Sequence, residues 1–117
     1  MKRDMDLVRK ILLNIESQES QRYQGDVEIE GYSKEVVNYH LLLLVEAGLI
    51  TAVDASSQAG FYFIPDRLTW EGHEFIEAAR NDTVWNQAKE QMAIVGGFVY
   101  ELAKPLLIEI LKQQLGL

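Results

Sequence analysis

Residues 33–50, SKEVVNYHLLLLVEAGLI, decide the reading of this chain. Ser33 offers a side-chain oxygen to the free N–H groups that open a helix, and Glu35 puts a carboxylate at the positive end of the helix dipole. Val37, Leu41, Leu44 and Ala47 then recur at spacings of four, three and three, one stripe of a 3.6-residue helix. Gly48 suits the left-handed conformation that closes a helix, and Leu49 and Ile50 begin an apolar run. The pattern predicts one helix over residues 33–47 that leads directly into a strand, with Val37, Leu41, Leu44 and Leu49 buried.

Outward from that stretch, toward the start of the chain, residues 4–17 read as a helix with Asp4 as its N-cap. Leu7, Val8, Ile11, Leu12 and Ile15 form its buried stripe. Lys2, Arg3, Arg9 and Lys10 fall mostly off the stripe and read as a solvated face. Residues 16–32 are polar and broken by Gly25 and Gly31; Val27 and Ile29 alternate with acids, which predicts a short strand over 26–30. In the other direction, residues 49–53 and 61–65 are strand-like, joined by the small polar loop 54–60, and Pro65 is expected to end the second strand. Thr69 then caps a helix whose apolar side is Trp70, Phe75, Ile76 and Ala79. Asn81 and Asp82 break that helix and cap the next, residues 83–95, which should bury Val84, Trp85, Ala88, Met92 and Val95. Gly96 and Gly97 separate a last helix, residues 98–115, in which Pro105 lacks an N–H and predicts a kink or a fresh start near Lys104.

Composition narrows the chemistry. A chain of 117 residues supports one core, and an apolar fraction of 48% argues for a folded rather than a disordered chain. The absence of cysteine excludes disulfides and thiolate catalysis and accords with a reducing cytoplasm. No apolar run follows the charged residues 1–6 to serve as a signal peptide, and no span approaches the roughly 20 uncharged residues that cross a membrane, so a cytoplasmic protein without membrane contact is expected. His40 and His73 are the two histidines, and neither stands in a two-histidine spacing that builds a zinc site. No nucleophile elbow or phosphate-cradling glycine loop occurs; Gly96 and Gly97 read as a hinge, and Ser56 and Ser57 lie in a loop without a base. Trp70 and Trp85 read as core at their helical spacings. The expectation is a non-enzymatic protein with no catalytic residue, metal or cofactor.

The His-Leu pair followed by Ala-Gly-Leu resembles the recognition helix of winged helix-turn-helix proteins, where such a helix leads into a two-stranded wing. The opening MKRDMDLVRKILLNIE, the central YHLLLLVEAGLI, the segment LTWEGHEFIEAARND with Trp85 after it, and the closing LKQQLGL together resemble a family of small bacterial and phage proteins catalogued as domain of unknown function 2513. That resemblance implies a winged-helix-like body, a frequent prophage setting and no established activity, and it supplies no catalytic residues. The fold class expected is therefore mainly α with a small β-hairpin: a winged-helix domain over residues 1–80, with C-terminal helices over 81–117 that pack on it or mediate oligomerisation.

Two functions compete. DNA binding draws on phosphate attraction, yet residues 33–66, which hold the helix and the wing, carry Lys34 against Glu35, Glu46, Asp54 and Asp66, and the whole chain carries a net charge of −7. Lys34, Asn38 and Tyr39 would be the base-reading set of a sequence-specific transcriptional regulator. The rival is a protein-interaction or regulatory module. Leu42 and Val45 fall off the buried stripe although burying each is worth roughly 1.5–3 kcal/mol, so something is expected to cover them. On the last helix Val99, Leu102, Leu106 and Ile110 lie along one line with Ala103, Leu107 and Leu111 beside it, a stripe broad enough for a homodimer. The acidic charge favours the second function.

Overall fold

Asp4 has extended backbone (φ −111°, ψ 109°), and its Oδ1 accepts the Leu7 N–H at 3.1 Å, which caps helix α1 (Met5–Glu16). The computed structural model describes residues 1–18 and 26–117. The stripe expected on α1 is buried, and Met5 joins it. Ser33 caps helix α2 (Lys34–Glu46) in the same way, its Oγ accepting the Val36 N–H at 3.2 Å. Val37, Leu41 and Leu44 are buried, and so is His40. Ala47, expected on that stripe, is exposed, because the helix has already ended there and Ala47 is its C-cap. Gly48 then turns left-handed (φ 74°), its N–H reaching Val45 O (3.0 Å) while the Leu49 N–H reaches Leu44 O (2.9 Å). Those two bonds satisfy carbonyls the helix leaves open and bring Leu49 back into the core, 2% exposed. Leu42 and Val45 are half-buried rather than bare.

The chain passes straight from Leu49 into strand β1 (Ile50–Asp54), which pairs antiparallel with β2 (Phe63–Leu68) in register Ile50↔Leu68 to Asp54↔Phe63. The expected end at Pro65 is corrected: β2 continues three residues beyond it. A bulge makes this tolerable, since Thr51 pairs with Arg67 and Ala52 with Pro65, leaving Asp66 as the extra residue where the ladder is already interrupted. The loop closes on paired bonds between Ser57 and Gly60, both 3.0 Å. Hydrogen bonds from the Ser56 hydroxyl and N–H hold the Asp54 carboxyl below the usual carboxylate range. The strand expected over residues 26–30 is also corrected, since the sheet has two strands among the described residues. Val27 is buried as its alternation required, but the Tyr32 N–H bonds Ile29 O (3.2 Å) and Gly31 takes φ 87°, so the backbone turns before a ladder can form. The break expected at Gly25 lies outside the described residues.

Helix α3 (Trp70–Ala79) starts where Thr69 Oγ1 accepts the Gly72 N–H (3.1 Å) and its hydroxyl donates to Gly48 O (2.5 Å), while the Thr69 N–H bonds Leu49 O (3.0 Å). Gly72 allows this approach: a Cβ there would sit 2.0 Å from Leu49 O. Trp70, expected on the apolar side, is 78% exposed, because nine residues place it about half a turn round from Ala79. The chain divides into two compact units, Met1–His73 and Glu74–Leu117. In the first, α1 packs on α2 and on β2.

In the second unit Asn81 Oδ1 caps helix α4 (Asp82–Ala93) by accepting the Val84 N–H (3.0 Å), and the unit's core is aromatic. Trp85 meets Phe75 edge-on at 6.4 Å and Phe98 at 5.2 Å, and Phe75 meets Tyr100 at 5.5 Å. Val95 is exposed instead of buried, because α4 stops at Ala93 and Val95 sits in the turn that follows. Of the kink or fresh start expected near Lys104, the fresh start is corrected: helix α5 (Tyr100–Gln114) is one helix with Pro105 inside it. Its buried face is Ala103, Leu107 and Ile110. The line drawn through Val99, Leu102, Leu106 and Ile110 is therefore not one outer face: Val99 and Leu102 are exposed, Leu106 is half-buried, and Ile110 is core. No helix among the described residues is long and apolar enough to cross a membrane.

Candidate functional site

A helix-interior asparagine gives up helix propensity and needs a partner for its amide. Asn38, one turn into α2, finds both on the hairpin: its Nδ2 donates to Phe61 O, and its Oδ1 accepts the Phe63 N–H at 2.9 Å. The oxygen and one N–H that the expected base-reading role of Asn38 would turn to adenine hold hairpin backbone in this structure.

The clamp sets the N-terminal half of α2 against the hairpin tip and leaves a groove of about 570 Å³ between them. Lys34, Asn38 and Tyr39 do come together, as the helix wall of this groove. Val27, Val37 and Leu41, all buried, form its floor. Phe61, Tyr62 and Phe63 form the facing wall, with the Phe61 ring stacked on Phe63 at 6.5 Å. Phe61 is 67% exposed and Tyr62 43%, so the wall is apolar and open to solvent. The sequence reading missed this wall because it became a wall only through the Asn38 contacts, which span 23 and 25 residues. Leu42 and Val45 do not line it.

The charged side chains on the groove lining are Asp26, Glu35 and Lys34. Residues 26–66 contain seven Asp and Glu and one basic residue, Lys34. The Lys34 Nζ lies 3.9 Å from the Asp26 carboxylate, which also accepts the Tyr62 hydroxyl. That hydrogen bond, with a smaller contribution from desolvation, raises the Tyr62 phenol above its ordinary value. Glu28, Glu30 and Glu35 are exposed.

Behind the helix wall, His40 ties α2 to the start of α1. A backbone N–H can only donate, so the Asp4 N–H at 2.9 Å fixes Nε2 as acceptor and leaves the ring proton on Nδ1, which donates to Val36 O (2.8 Å). The Tyr32 hydroxyl donates to Asp4 Oδ2 (3.1 Å), and desolvation, with the Asp4 charge second, raises its pKa. Tyr39 meets the His40 ring edge-on at 5.9 Å. His40 is thus a hydrogen-bonded core residue, while His73 is exposed. No group of three or more His, Asp or Glu side chains among the described residues is placed to hold a metal ion.

Comparison with known proteins agrees with the resemblance read from the sequence. The family described as hypothetical protein (DUF2513) matches residues 2–98, a span that contains every groove-lining residue except Met1 and ends before α5. An uncharacterized protein of Haemophilus influenzae is 48% identical over 92 residues, covering 76% of each chain. No solved structure matches. The family match and the relative carry the same conclusion: the chain belongs to the DUF2513 family of hypothetical proteins.

Proposed function

We propose that this chain is a non-enzymatic protein-binding module with a winged-helix-like first unit, and that it binds through the groove between α2 and the hairpin tip. The winged-helix reading is supported by the direct passage of α2 through a left-handed glycine into β1, and by the return of β2 to the start of α3. The observation that carries the function is the Asn38 clamp. It removes the base reader from the helix that a winged helix would lay in DNA, and the same two bonds create an apolar concavity beside exposed aromatic side chains. Exposed aromatic rings beside a buried apolar floor are the usual anchors of protein recognition, whereas a net charge of −7 disfavours phosphate.

Two measurements test the reading. A gel shift with mixed duplex fragments at ~50 mM salt is expected to show no retention. A photo-reactive phenylalanine analogue at position 61 is expected to form protein adducts that the same analogue at exposed position 77 does not form. Salt-sensitive DNA retention that Lys34→Ala abolishes would overturn the proposal.

A further inference from the structure

The second unit carries an interaction surface that does not depend on the groove. Helix α5 buries Ala103, Leu107 and Ile110, while Glu101, Pro105, Ile108, Lys112 and its C-cap Leu115 are all exposed. Spacings of four, three, four and three put those five on one line, along the side of the helix turned away from the buried face. Ile108 is 39% exposed and Leu115 74%, so apolar side chains stand in water between and beyond the two charges. We infer that this line is the contact between two copies of the chain, whose α5 helices lie side by side and run in opposite directions.

The order of side chains along the line selects both the occupant and its direction. Glu101 and Lys112 stand at equal distances either side of the peptide bond between Leu106 and Leu107, and so do Pro105 and Ile108. A two-fold axis through that point, at right angles to the helices, brings each residue level with its counterpart on the other copy and on the same flank. Glu101 of each copy then meets Lys112 of the other, and Ile108 of each meets the Pro105 ring of the other. Parallel helices would set Glu101 against Glu101 and Lys112 against Lys112. The two charges also suit their own helix, since Glu101 lies in its first turn and Lys112 in its last, but the helix dipole gives no role to the apolar pair between them. The reversed arrangement uses all four residues. Lys104 and Glu109 fall to opposite sides of the line and leave its centre to apolar contact.

The dimer so formed is weak. Helix α5 has 15 residues and is roughly 22 Å long, which places one helix against another at the small end of interface sizes. A net charge of −7 also repels two copies at long range. At ~150 mM salt that repulsion is screened while ion pairs in contact persist, so association is expected at chain concentrations on the order of tens of micromolar.

Sedimentation equilibrium of the full chain at about 100 μM and ~150 mM salt is expected to show dimer. Glu101→Lys and Lys112→Glu should each raise the dissociation constant at least about tenfold, because two attractions become two repulsions. An equimolar mixture of the two variants should recover the association of the unmodified chain, since both pairs are again of opposite sign. An unmodified chain that is monomeric, single variants that associate as it does, or a mixture no stronger than its components would each overturn the inference. Because the chain has no cysteine, the direction can also be read covalently. Glu101→Cys and Lys112→Cys chains, mixed and oxidised with glutathione disulfide, should give mainly the mixed disulfide, because like positions lie at least about 16 Å apart in the reversed arrangement. Predominance of the symmetrical disulfides would overturn it. Positions 101 and 112 are exposed, and the cysteine pair reads the same geometry with no reversed charge opposing the helix dipole.

Discussion

At the base of the hairpin, Ile50 and Leu68 are 2% and 4% exposed, and the adjoining backbone of Gly48 and Leu49 accepts two hydrogen bonds from Thr69. At its tip, Phe61 and Tyr62 are 67% and 43% exposed, and the strand is held to α2 through the amide of Asn38. One ribbon thus has an end built for stability and an end that leaves apolar surface in water. An exposed Phe beside an exposed Tyr leaves apolar area in water, which adds little to the stability of the unit. The difference teaches where substitutions should register. Changes at the base should unfold the first unit, and changes at the tip should spare it.

The largest effect is expected from Gly72→Ala, whose new Cβ would meet the Leu49 carbonyl, a backbone atom that cannot swing aside. A loss of ~3 kcal/mol or more in urea unfolding is expected, or no soluble protein. A loss below ~1 kcal/mol would mean that the base is not the rigid end. Asn38→Ala should cost less, about 1–3 kcal/mol, because it strips partners from the Phe61 carbonyl and the Phe63 N–H. Amide exchange would sharpen the comparison here: protection at Phe63 should fall while that at Thr69, whose N–H bonds Leu49 O, stays as it was.

Phe61→Ser should change stability by no more than ~0.5 kcal/mol in the same urea experiment, since the ring is mostly in water. A larger loss would erase the contrast between the two ends. The smallest effect concerns Tyr62. Its phenol is more strongly protonated in the folded chain than a free tyrosine, so its contribution is intact below the ordinary value of about 10 and is lost as pH rises through the higher folded value. The tyrosinate difference spectrum between the wild-type chain and Tyr62→Phe should show ionisation above that ordinary value, and Asp26→Asn should move it back down.

Local signals were legible in the sequence and long-range ones were not. Asp4, Ser33, Asn81 and Gly48 all do what their side chains or backbones suggest, because a cap is completed within three or four residues of the residue that makes it. Helical stripes were legible in their middles and misread at their ends. Ala47, Trp70 and Val95 lie at or just beyond a terminus, where periodicity no longer says which way a side chain faces. Pro65 was read as a stop because the bulge that accommodates it depends on Thr51 and Ala52 in the partner strand. The candidate site was half legible. Lys34, Asn38 and Tyr39, expected as a base-reading set, line one groove, but the partner of the Asn38 amide lies in the hairpin, and nothing near it in the chain announces that.

The Asn38 clamp also bears on how this protein keeps to itself. A two-stranded ribbon has two open sides, and the outward-pointing carbonyl of Phe61 and N–H of Phe63 are the pair of groups onto which a foreign strand would add. The carboxamide of Asn38 is chemically a peptide group on a short stalk, and it sits on that pair as a single residue of a third strand would. One side chain therefore blocks templated sheet growth where the ribbon is most apolar, and leaves the aromatic faces, rather than the backbone, as what the tip presents to other molecules.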